Sequence, residues 1–188
     1  MVISIVSLWL PILLAAVMVF VVSSLFHTVL NWHKNDYKRI PDEDGVLGAL
    51  APMNIPPGDY VVPYMATKED WTSDEFKAKV ERGPVMFATV LDGKAVFSMG
   101  PQLVQWFAYC LLVGVVAAYV TGRTLPAGAE YLSVFRLSGT VAFACYAMAL
   151  PQHSIWYHRN WPATLRNMTD GLVYSLLTAG AFGWLWPA

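Results

Sequence analysis

Charge is scarce in this chain. Only 13% of its 188 residues are Asp, Glu, Lys or Arg, about half the share found in a soluble domain of ordinary composition. So little charge cannot cover a water-facing globule. The apolar residues, 56% of the total, also run together in long stretches, which makes lipid the expected solvent. Cysteine is nearly missing as well. Cys110 and Cys145 both fall inside apolar runs, read as small packing residues, and bring no disulfide framework into view. With a net charge of −1 and no basic face, nothing points to nucleic acid. Also missing are a Gly-rich phosphate loop, a His-Glu metalloprotease motif and a nucleophile setting around Ser or Cys. No inverted repeat or polar midplane is visible, which argues against transport.

What the chain does have is four apolar runs. The first covers residues 3–26, and its helix is expected to continue to Trp32. It lacks the positive n-region and the short h-region of a secretory signal, so it reads as a retained helix. The others are residues 103–120, 131–150 and 171–186, bounded by Pro101, Pro151 and Pro187. About 20 apolar residues cross a hydrocarbon core of roughly 30 Å, and proline beside a helix end is where proline fits.

The basic residues orient these spans. Ten of the twelve lie between the first and second runs or between the third and fourth, and only Arg123 and Arg136 do not. That side is the expected cytoplasm, with both chain ends outside. Tryptophans agree: Trp9, Trp184 and Trp186 mark one interface and Trp32, Trp106, Trp156 and Trp161 the other. Arg136 sits near the outer end of the third run, where its long side chain can snorkel toward Glu130 or lipid phosphate.

Small residues recur every fourth position: Gly171, Ser175, Ala179 and Gly183; Cys110, Gly114 and Ala118; Ser138 and Ala142. Such ridges let helix backbones approach closely in lipid, within one chain or between copies.

The insertion at residues 33–100 is too polar for lipid. Its proline-rich, acidic first part is expected to be extended, with a short helix over residues 46–50. A capping box of Thr72 and Glu75 opens a second short helix that Gly83-Pro84 stop. Asp92-Gly93 between residues 85–91 and 94–98 is a strong hairpin signal.

Four histidines carry the only chemistry in view. His27 and His33 follow the first run, and His153 and His158 the third, so all four belong at the cytoplasmic edge with Asp36, Glu43, Gln152 and Asp170 in reach. They could hold a transition metal or the iron of a haem. The spacing of His27 and His33, about 240° apart on a helix, requires a break before both face one ion. Asp170 reads as a group at the start of the fourth helix, where the dipole favours negative charge.

The expected fold is therefore an all-α integral membrane protein: a four-transmembrane-helix bundle with a cytoplasmic insertion, a short helix plus a β-hairpin, between helices 1 and 2. The expected segments are 1–32 for the first helix with its extension, 33–100 for the insertion and 101–188 for the remaining three helices. The expected place is a bacterial inner membrane. The leading expectation for function is a non-catalytic small subunit, packing in a larger membrane complex or against its own copies. A metal or haem protein and an inner-leaflet lipid or quinone enzyme are the alternatives.

Overall fold

The computed structural model describes residues 3–188. Its elements, in chain order, are α1 (Trp9–Thr28), α2 (Glu43–Leu50), β1 (Gly58–Val62), α3 (Asp74–Arg82), β2 (Met86–Val90), α4 (Gly93–Val96), α5 (Gly100–Thr124), α6 (Tyr131–Tyr146), α7 (Pro151–Trp156) and α8 (Trp161–Trp184). They fall into two compact units. One is the chain as far as Lys38 together with Gly100–Ala188, and the other is Arg39–Met99.

In the first unit, three helical stretches are long and apolar enough to cross a membrane: Ile5–Thr28, Gly100–Thr124 and Tyr131–Trp156. α1 shows why lipid suits them. Ile12, Ala15, Ala16 and Val19 are buried, yet Leu10, Leu13, Val17, Val21 and Leu25 on the other side are exposed. A helix apolar on every face is either buried in a large core or bathed in lipid.

The helix contacts use small residues. Ala117, Ala118, Ala142 and Ala179 are fully buried. A Cβ added at Gly139 would lie 2.9 Å from the Ala179 Cβ, and one at Gly171 2.9 Å from the Ala147 Cβ. These pairs run in opposite chain directions, so α6 and α8 pack antiparallel with backbones nearly touching. All the ridge residues seen in the sequence are buried within this one chain except Gly183, against which the Tyr131 ring lies. Two buried hydroxyls bond back to their own helix: Ser138 Oγ donates to the Val134 carbonyl (2.7 Å) and Thr178 Oγ1 to that of Tyr174 (2.9 Å). This spares lipid-level polar atoms the cost of going unpaired.

Three helix ends differ from expectation. α1 does not run on to Trp32: Leu30 is extended (φ −87°, ψ 130°) and Asn31–His33 form a separate 3₁₀ turn. The third helix ends at Tyr146, and Pro151 does not terminate it but opens α7, where its missing N–H costs nothing. The fourth helix starts at Trp161, with Pro162 in its first turn, ten residues before the expected position. Asp170 is thus inside α8 and not at its N-terminus, so the dipole does not account for it. Arg136 is exposed in the second turn of α6, and among the described residues it makes no ion pair with Glu130.

The second unit holds the other corrections. β2 pairs antiparallel with β1, from Gly58↔Val90 to Val62↔Met86, and not with residues 94–98. Asp92 instead caps α4: its Oδ1 accepts from the Lys94 N–H at 2.9 Å. An Asp side chain that bonds its own following backbone competes directly with the hairpin turn. α2 begins at Glu43, three residues before expectation, because Asp42 accepts from the Gly45 N–H.

α3 is capped by Ser73, whose Oγ accepts from the Phe76 N–H at 3.1 Å. Thr72 lies one residue too early, and its hydroxyl bonds the Glu69 carbonyl. Ser73→Ala is therefore expected to cost about 1 kcal/mol of helix stability and to speed amide exchange at Phe76. Thr72→Ala should leave that exchange unchanged; the reverse pattern would return the cap to Thr72.

Candidate functional site

The break after α1 is what builds the site. Because Leu30 is extended, the chain doubles back, and the His33 ring stacks on that of His27 with centroids 4.3 Å apart and planes 13° from parallel. One nitrogen of each histidine and one oxygen of Asp170 lie within 4.8 Å of one another. All three residues belong to the first unit.

The hydrogen bonds around this group assign its lone pairs. His27 Nδ1 is 2.9 Å from the Ser23 carbonyl, which only accepts, so this nitrogen carries the proton. His33 Nδ1 is 2.8 Å from Asp36 Oδ2. Asp36 is in turn paired with Arg166, whose Nε donates to Oδ1 at 2.7 Å. Burial works to raise the Asp36 pKa, but the bonds and charges of His33 and Arg166 outweigh it, and the carboxyl is held below its ordinary 3.8. As a carboxylate it can only accept, so His33 Nδ1 is a donor too. In the neutral form of each ring the other nitrogen, Nε2, carries the lone pair.

His33 Nε2 meets an unusual neighbour. It is buried and 2.8 Å from Asp170 Oδ2, yet the approach lacks the alignment of a hydrogen bond. The short distance is the firmer observation, since it places a carboxylate oxygen against a ring nitrogen with nothing else to satisfy it. Asp170 itself is only 4% exposed on its side chain, and its second oxygen accepts from Trp32 Nε1 at 3.0 Å. A carboxylate oxygen this close to a buried ring nitrogen calls for a positive centre between them, either a proton on Nε2 or a bound cation.

Chemically, this is a two-histidine, one-carboxylate donor set with a second layer already in place. Three protein ligands would leave at least one position of a tetrahedral ion open, the pattern of zinc sites that do chemistry. The same set with open positions also suits iron(II). Donors on an ion with bonds near 2.1 Å sit roughly 3.4 Å apart, so the stacked rings must turn toward each other on loading.

Of the four histidines singled out in the sequence, the structure brings together His27 and His33. His153 and His158 do not join them: His153 lies tilted near Tyr157, ring centroids 5.9 Å apart, and His158 lies in a loop with φ +53°. Asp36 and Asp170 do reach the pair, whereas Glu43 belongs to the other unit and bonds Arg39. Sequence reasoning missed Arg166 and Trp32, which looked like a loop charge and an interface anchor. No local signal could have found them, because both act across more than a hundred residues.

Compared with known protein families, with curated proteins and with solved structures, the chain matches none.

Proposed function

We propose that this chain is a membrane protein that crosses the bilayer four times and holds a divalent transition-metal ion at the cytoplasmic rim of the bundle, through His27, His33 and Asp170. α8, with 24 residues, is about 36 Å long, enough for a fourth crossing. Its polar turn supports that reading, because Arg166 and Asp170 are engaged by Asp36, His33 and Trp32. The excess of Lys and Arg in the connections supports this end being inside. The observation that carries the metal is the convergence of His27, His33 and Asp170, whose ligand atoms lie within 4.8 Å of one another. Haem fits less well, since rings stacked at 4.3 Å leave no room for a macrocycle between them.

The test is elemental analysis and cobalt(II) titration of protein purified from membranes in mild detergent. One equivalent of metal per chain is expected, with a cobalt d–d band that His33→Ala, which removes a ligand, weakens or abolishes. Absence of stoichiometric metal and of any cobalt band in the wild type would overturn the proposal, and a Soret band would restore haem.

A second reading, the small subunit of a larger complex, is favoured by one observation. No described side chain of Arg39–Met99 is buried, and Tyr64, Trp71 and Phe97 are 74%, 67% and 93% exposed. Apolar surface of that kind marks contact with a protein or a membrane. The helix ridges offer less, being used inside the chain. Recovery as a single-chain particle with no partner retained in mild detergent would remove this reading.

A further inference from the structure

We propose that Asp36 is the positioning residue of the His27–His33–Asp170 centre, setting His33 as a ligand from behind; this inference rests on the metal reading above. The geometry is a ladder of two rungs. His33 and Asp36 are three residues apart on one side, and Asp170 and Arg166 are four apart on one face of α8 on the other. His33 faces Asp170 and Asp36 faces Arg166.

Asp36 serves three parts of this arrangement at once. Its backbone N–H donates to the His33 carbonyl at 3.0 Å and closes the turn after α1. Its Oδ2 accepts a hydrogen bond from His33 Nδ1, which leaves Nε2 directed away, toward Asp170. Its Oδ1, held by the Arg166 guanidinium, fixes that turn to α8 one helical turn from Asp170. Only 6% of its side chain is exposed, which prevents water from taking its place. His27 has no such partner: its Nδ1 bonds a carbonyl of its own helix. The two histidines therefore differ, one tied locally and one aimed from α8 through a carboxylate.

A carboxylate behind a ligating histidine fixes tautomer and ring orientation, and its loss typically lowers metal affinity 10- to 100-fold. The experiment is cobalt(II) titration of detergent-purified full chain, following the d–d band, for wild type, Asp36→Ala and Asp36→Asn, with helical circular dichroism on each. Asp36→Ala is expected to bind 10- to 100-fold more weakly with an altered band. Asp36→Asn, whose amide oxygen still accepts from Nδ1, is expected to recover most of the affinity and the wild-type band. If the wild type binds and Asp36→Ala binds equally well with the same band, Asp36 positions nothing and the metal site stands without it. If Asp36→Asn is as weak as a folded Asp36→Ala, the hydrogen bond is not the cause, and the proposal fails. A wild type that binds no cobalt removes the site itself, and this role with it.

Discussion

Gly139→Ala and Gly180→Ala, the same substitution in the tightly packed α6–α8 pair, are expected to move stability in opposite directions. At Gly139 the new Cβ would sit 2.9 Å from the Ala179 Cβ, closer than real Cβ contacts allow, and neither atom can swing aside. The helices must separate, at a cost of about 1–3 kcal/mol. At Gly180 an added Cβ meets nothing within 4 Å. There the substitution only removes the extra freedom of glycine, and a gain of about 0.5–1 kcal/mol is expected. Unfolding in mixed detergent micelles measures both. Equal effects at the two positions would show that the α6–α8 approach is not the close one described. Gly139→Leu should exceed the Gly139→Ala loss, because the longer side chain has no route out between the backbones.

The helices were legible in the sequence because lipid-facing surface leaves its record in every residue, not in a periodic stripe. Runs such as residues 9–25 remain apolar on both faces, and the rough place of the three long apolar helices could be read directly. Their ends were not so legible. The start of α8 is polar, with Arg166, Asn167, Thr169 and Asp170, and hydropathy reads such a turn as loop. It is helical because Arg166 and Asp170 find partners in the segment after α1, while Asn167 and Thr169 bond carbonyls of their own helix. The break at Leu30 has the same origin. No glycine or proline lies between Thr28 and His33, and what holds the turn is Trp32 and His33 on Asp170 and Asp36 on Arg166. The candidate site was visible only as a surplus of histidines near one depth. Which two of them converge was decided by that break, the condition under which the angular spacing of His27 and His33 allows both to face one ion. In the insertion, Asp92-Gly93 has two local uses, turn or cap, with the same residue pair. The partner strand 58–62 settled the choice, and nothing near Asp92 records it.

Arg166→Met is expected to destabilise the metal-free protein by about 2 kcal/mol. Removing one member of a buried ion pair costs 3–5 kcal/mol when the other charge is left alone. Here the loss is smaller for two reasons. The Arg166 side chain is 22% exposed, so water already shares its charge, and His33 still donates to Asp36. The methionine keeps most of the apolar stem. Asp36→Asn on top of Arg166→Met should recover part of the loss, because no uncompensated carboxylate then remains. Acid sharpens the test. The Asp36 pKa is lowered in the folded chain below its ordinary 3.8, so its stabilisation is complete above the unfolded value and disappears as pH falls through the folded one. Without Arg166 that folded value rises toward the unfolded one, so the acid loss of stability should be smaller than in the wild type and end at higher pH. Chelator-treated protein, unfolded by heat in mild detergent across pH 3–6, gives both curves. Superimposable acid limbs would mean that Arg166 does not hold the Asp36 charge, and the ladder between α8 and the turn after α1 would lose its outer rung.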